Sequence, residues 1–218
     1  MSVLVTGASR GIGRALYDGY LARGETVTGT CRGDPPAGGR WLRLDVAEPA
    51  QFAGFARSFG DAPLDLLICN AGVYLDKGQD LDGGYPPEMW AQSFAINVTG
   101  VFLTIQALLP ALRAADEAKV AIISSQMASD SNAPGRSYIY RASKAAALNL
   151  GRNLAADLAP QGISVGVYHP GWVRTDMGAT RPPRTAAQSA RRRVQPFDAL
   201  GPATTGCFET WDGRAHPY

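Results

Sequence analysis

Short apolar runs alternate with stretches of helical period along this chain. Residues 3–6 form an apolar run that ends in glycines, and a helical stretch follows over residues 11–22. Further strands are expected over residues 27–31 (weakened by Gly29), 41–44, 64–69, 120–124 and 163–168, with residues 208–211 closing the sheet. Helices are expected over residues 49–59, from Met89 to near Ala115, and over residues 138–158, where Pro160 and Gly162 stop the last one. The strands are continuously apolar rather than alternating, as in a parallel sheet covered on both faces. The expected fold class is therefore α/β: a Rossmann-type, doubly wound parallel sheet of about seven strands. No repeat or boundary divides it, so residues 1–218 read as one domain.

The segment between Glu88 and Arg113 carries no charge and is long enough to raise a membrane span. Yet Phe94, Val98, Val101, Ile105, Leu108 and Leu112 recur at steps of four and three. Gln92, Asn97, Thr99, Thr104 and Gln106 lie between them. That is one face of a helix packed on a protein core, and no membrane partner is expected.

Composition narrows the class. The 218 residues carry a net charge of +2, 45% hydrophobic and 18% charged residues, so a folded domain is expected without help from a disulfide or metal. The near-neutral balance gives no electrostatic case for nucleic acid, and Arg191-Arg192-Arg193 reads as a solvated face. Cys31, Cys69 and Cys207 are odd in number and widely spaced, and only His169 and His216 could join them, so no metal site is expected. Reduced thiols and no basic leader before Ser2 point to the cytoplasm. Lysine is scarce, with three (Lys77, Lys119, Lys144) against 18 arginines, which makes a well-placed lysine informative.

Candidate chemistry begins at Thr6-Gly7-Ala8-Ser9-Arg10-Gly11-Ile12-Gly13, between the first strand and the first helix. Glycines there let a phosphate approach the main chain, and the helix N-terminus turns N–H groups toward it. Three glycines at fixed offsets arise by chance roughly 0.3 times in such a chain, so position rather than spacing carries the reading. No Gly-Lys-Ser/Thr follows, which excludes a P-loop.

Tyr140 and Lys144 lie four apart on the expected helix over residues 138–158, so they share one face. A cation beside a phenol lowers its pKa and suits it to proton transfer near neutral pH. Tyr138 is the rival tyrosine, but Ala142 occupies its corresponding position. Ser124 and Ser125 end the preceding strand, where parallel sheets gather binding groups; Ser125 is the better candidate to hold a substrate oxygen.

With Asp45, Asn70-Ala71-Gly72, Asn97, Ile123-Ser124-Ser125, Tyr140-Arg141-Ala142-Ser143-Lys144 and Pro170-Gly171-Trp172-Val173-Arg174-Thr175 in that order, the chain resembles the short-chain dehydrogenase/reductase family. More narrowly it resembles the C-factor and sniffer-type carbonyl reductase branch. The resemblance implies an NAD(P)-dependent enzyme in which Tyr140 is the general acid for carbonyl reduction. Lys144 lowers the Tyr140 pKa and holds the nicotinamide ribose, Ser125 positions the carbonyl, and Asn97 anchors a water in the proton relay. It implies a cofactor site made by Gly7, Ser9, Arg10, Gly11, Ile12, Gly13, Asp45, Asn70, Ala71, Gly72, Tyr140, Lys144, Pro170, Gly171, Val173 and Thr175. The resemblance also implies a small carbonyl or alcohol as partner, and a homodimer or homotetramer formed through the helices over residues 89–115 and 138–159.

Cofactor choice turns on the end of the second strand. Cys31 stands where an acid would bind a ribose 2′-OH, and Arg32 follows, with Arg10 in reach and Asp34 as the competing group. A guanidinium fork suits a 2′-phosphate, so NADP(H) is expected over NAD(H). The interval from Ser125 to Tyr140 is slightly long and the 180–196 segment short for the family, which argues for small or loosely held substrates. The competing function is a nucleotide-binding signalling or regulatory protein with incidental turnover.

Overall fold

The computed structural model describes residues 1–171, 197–210 and 212–218. Seven strands form one sheet: β1 (Ser2–Val5), β2 (Thr26–Cys31), β3 (Arg40–Arg43), β4 (Leu66–Cys69), β5 (Ala118–Ile123), β6 (Ile163–His169) and β7 (Phe208–Thr210). Their order is β3-β2-β1-β4-β5-β6-β7, and every pairing is parallel. The order reverses between β1 and β4, and ligands of such sheets sit at that switch, beyond the carboxyl ends of the strands. The expected fold class holds.

Among the described residues, five α-helices connect the strands: α1 (Gly11–Leu21), α2 (Phe52–Phe59), α3 (Pro87–Phe94), α4 (Gly100–Arg113) and α5 (Tyr138–Leu158). One face of the sheet packs with α2, α4 and α5; the other packs with α1 and Phe197. The central strands are apolar throughout because both faces are covered. In α2, Phe52, Phe55 and Phe59 recur at steps of three and four and are all buried, each contributing about 2–3 kcal/mol of burial. The Pro87–Arg113 stretch is long and apolar enough to cross a bilayer, yet half of it is buried in the protein. Val101, Ile105, Leu108 and Leu112 of its stripe lie in the same core as β4 and β5.

Two details bring the site together. Gly151 of α5 faces β6 so closely that an added Cβ would lie 2.5 Å from Val167 Cγ2. This contact lets α5 lie flat on the sheet and carry Tyr140 and Lys144 to the strand ends. The second differs from the sequence expectation of one helix through residues 89–115. Residues Ala95–Thr99 form a π-helical turn between α3 and α4, with Asn97 in it. Apolar steps of four and three run through both segments, so periodicity cannot register the extra residue; such π-turns often occur at functional sites.

Candidate active site

A cleft of about 340 Å³ opens along the carboxyl ends of β1, β2, β4 and β5. At one end lies the turn between β1 and α1. Gly7 adopts φ +63°, and a Cβ there would come within 3.0 Å of the Ala71 backbone. The Gly7 N–H donates to Thr30 Oγ1 (3.1 Å), and the Ala8 N–H to the Thr30 carbonyl (2.9 Å). Thr6 Oγ1 accepts from the N–H groups of Asn70 and Ala71 (3.0 and 3.1 Å), while Asn70 Nδ2 donates to the Thr6 carbonyl (2.9 Å). The turn is thus stitched to β2 and to the chain after β4. Arg10, the N-cap of α1, gives the helix no side-chain cap, which leaves first-turn N–H groups for an anion. The cradle fits a dinucleotide pyrophosphate.

Next to this turn, Arg10 and Arg32 are exposed on the cleft wall, with Asp45 half-buried beside them. Arg43 Nε donates to the Arg32 carbonyl (3.1 Å) and steadies that loop. Cys31 closes β2 as a buried thiol, and burial pushes its pKa up, so no carboxylate occupies the strand end. The Asp45 carboxylate accepts from the Ala47 N–H (3.0 Å).

At the other end, Tyr140 and Lys144 project from α5 into the same cleft. Lys144 Nζ lies 5.8 Å from the Tyr140 ring centroid and donates to the Ile123 carbonyl (2.9 Å). The Ser125 hydroxyl lies near enough to the Tyr140 phenol to favour its ionised form, and its Oγ accepts from the Met127 N–H (3.1 Å). Ser124, not Ser125, is on the cleft lining, but its hydroxyl is committed to the Lys144 carbonyl (3.0 Å). Tyr138 is also set apart, exposed and edge-on to Tyr85.

The electrostatics correct one expectation. Burial pushes the Tyr140 phenol up to about 12, with nearby Tyr74 and Asp76 adding to the rise and the Ser125 hydroxyl opposing it. Lys144 is itself desolvated, and burial brings it down to about 8. Burial outweighs the neighbouring ammonium here, because the same desolvation that brings the pair together disfavours both charged forms. The phenol therefore keeps its proton through the neutral range.

Gly7, Ser9, Arg10, Gly11, Ile12, Arg32, Asp45, Asn70, Ala71, Gly72, Tyr140, Lys144 and Pro170 all line the cleft. Gly13 sits behind the turn, where a Cβ would lie 2.3 Å from the Gly7 carbonyl, so it shapes the cradle from the rear. Gly171 is off the wall, and Val173 and Thr175 lie outside the described residues. Asn97 is fully buried: Oδ1 accepts from the Val73 N–H (2.9 Å), and Nδ2 donates to the Val73 carbonyl and Ser143 Oγ (3.0 Å each). Both side-chain donors are committed, so Asn97 ties the cleft wall to α5.

Sequence reasoning missed Thr30, Tyr74 and Asp76, and gave Thr6, which opens the glycine motif, no role of its own. Thr30 reads as an ordinary strand residue. Tyr74 stacks on Tyr140 at 4.2 Å, and Asp76 accepts from the first turn of α5; neither signal exists before the loop after β4 meets α5.

A short chain dehydrogenase family model matches residues 1–186. The C-signal of Myxococcus xanthus is 37% identical over 168 residues, which span 75% of this chain and 98% of that protein. The 1-hydroxy-2-glutathionyl-2-methyl-3-butene dehydrogenase of Rhodococcus sp. strain AD45 is 34% identical over 225 residues, 97% of each chain. The structure of NADPH-bound carbonyl reductase from chicken fatty liver superposes with a TM-score of 0.91 at 29% identity, covering 100% of this chain and 98% of that one.

Proposed function

The chain belongs to the short chain dehydrogenase family of NAD(P)-dependent oxidoreductases, and from that footing we propose that it reduces small aldehydes or ketones with NADPH. The reading is carried by one observation: a half-buried phenol, with Lys144 on the same helix face, shares a cleft with a glycine cradle. The bound nicotinamide supplies hydride to the carbonyl carbon. Tyr140 donates its proton to the carbonyl oxygen as negative charge develops there. Ser125 Oγ donates a hydrogen bond to that oxygen and holds it beside the phenol. Lys144 places a cation near the phenol when charged, stabilises the phenolate left after transfer, and holds the nicotinamide ribose.

The cradle at Gly7, Ser9, Gly11 and Ile12 holds the pyrophosphate, and Asn70, Ala71, Gly72 and Pro170 line the path to the nicotinamide end. Arg32 and Arg10 favour the 2′-phosphate because no acid ends β2, and NADPH in the chicken neighbour supports that preference. Val173 and Thr175 are assigned to the cofactor on the family pattern alone. The free thiols Cys31, Cys69 and Cys207 support a cytoplasmic setting. The chain acts as one domain over residues 1–218, and exposed Phe102 on α4 favours pairing of copies.

A panel of small carbonyl compounds with NADPH, followed by the loss of cofactor absorbance, tests the reading. Turnover with at least one aldehyde or ketone, and NADPH ahead of NADH in kcat/KM, is the expected result. A protein that binds NADPH tightly and reduces nothing would favour the second reading, a nucleotide-binding signalling protein, for which the identity to C-signal speaks.

A further inference from the structure

The first turn of α5 carries an unusual cap. Ser137, the residue before the helix, sits at φ +51° and gives α5 no side-chain cap. Its hydroxyl is hydrogen-bonded to the Tyr74 phenol instead (2.5 Å). The N–H groups of Ile139 and Tyr140 donate to the carboxylate of Asp76, at 2.9 and 3.3 Å, from the loop after β4. Asp76 is 1% exposed. A carboxylate is costly to bury unless its oxygens are satisfied, and a helix N-terminus is where a negative charge is best received. This one is spent on the backbone of Tyr140 itself.

The catalytic tyrosine is therefore tied on three sides. Asp76 holds its backbone, Tyr74 stacks on its ring at 4.2 Å, and the Ser125 hydroxyl stands near its phenol. We propose that Asp76 is a positioning residue for Tyr140, capping α5 from the loop after β4 so that the phenol is aimed into the cleft with a fixed carboxylate behind it. This rests on the carbonyl-reductase reading of the site. The titratable groups around the phenol, among the described residues, are Lys144 on α5 and Tyr74 and Asp76 on the loop after β4. Arg141 on α5 is turned to the Asn132 carbonyl (3.0 Å). Of these, Tyr74 and Asp76 oppose the phenolate, so removing the Asp76 charge makes the phenolate easier to form.

Asp76→Asn keeps the size and one acceptor oxygen but removes the charge; Asp76→Ala removes both. Each is made in protein labelled with 3-fluorotyrosine, whose phenol ionises at lower pH than tyrosine, and the Tyr140→Phe variant identifies the Tyr140 fluorine signal. In Asp76→Asn that signal should titrate lower by at least about 0.5 pH unit, and the alkaline limb of kcat should move the same way. In Asp76→Ala, kcat should fall about 10–100-fold with KM little changed, since small misplacements of a reacting group cost that much. Asp76→Asn should recover part of that loss. Variants that melt lower but keep the wild-type phenol titration and kcat profile would overturn the proposal. If Asp76→Ala does not fold, Asp76→Asn decides alone. A wild type that reduces no carbonyl compound would sink the reductase reading, while the fluorine titration still decides the place of Asp76.

Discussion

The two ends of the cleft are built on opposite terms. At the β2 end the frame is one contiguous turn, and the side chains offered to a ligand, Ser9, Arg10 and Arg32, are exposed. At the α5 end, Lys144, Ser125 and Asp76 are buried and come from three separate segments. The first end works through backbone geometry and screened surface charge. The second works through desolvated groups whose protonation is set by what surrounds them. Substitutions at the first should alter which cofactor binds and how tightly; substitutions at the second should alter chemistry and stability.

The largest effect is expected where the exposed end depends on close packing. A Cβ at Gly13 meets the Gly7 carbonyl at 2.3 Å and Asn70 Nδ2 at 2.4 Å. Gly13→Val should therefore weaken NADPH binding by at least about 100-fold in a fluorescence titration. If affinity were unchanged, the cradle would not be the dinucleotide site. Arg32→Asp comes next. It should shift the NADPH-to-NADH ratio of kcat/KM about 10–100-fold toward NADH and leave the melting temperature nearly unchanged, since the side chain is exposed. An unmoved ratio would remove Arg32 from the cofactor site.

Lys144→Met should show a change of the opposite character, read in stability rather than in affinity or cofactor preference. Burial brings Lys144 down to about 8 from its ordinary 10.5, so the folded state disfavours the charged form. That penalty is fully present below pH 8 and fades as pH rises toward 10.5, where the unfolded chain also loses the proton. The variant should be more stable than wild type at pH 7 by up to roughly 3 kcal/mol, with the gap narrowing toward pH 10. A constant gap in chemical-denaturation curves at the two pH values would contradict the burial account.

The same contrast decides what could be read from the chain. The glycine turn was legible because Gly7, Gly11 and Gly13 are local, and α5 was legible because Tyr140 and Lys144 share one helical face. Ser125 followed from standing at a strand end. Asp76 was not legible, because nothing near it marks a cap and its partner Ile139 lies 63 residues later. The π-turn at Asn97 was hidden by apolar steps that suit either helix. The expected direction of the Tyr140 shift failed for a related reason: helical spacing gives the neighbour, while burial is a property of the assembled fold. Val173 and Thr175 fall outside the described residues.

The central claim is that Tyr140 hands a proton to a substrate oxygen beside a bound dinucleotide. Tyr140→Phe, with NADPH affinity and single-turnover reduction measured on one preparation, tests it most directly. Affinity should stay within about threefold of wild type while the reduction rate falls about 10²–10⁴-fold. Reduction surviving at near the wild-type rate would contradict the account, whatever the cofactor affinity.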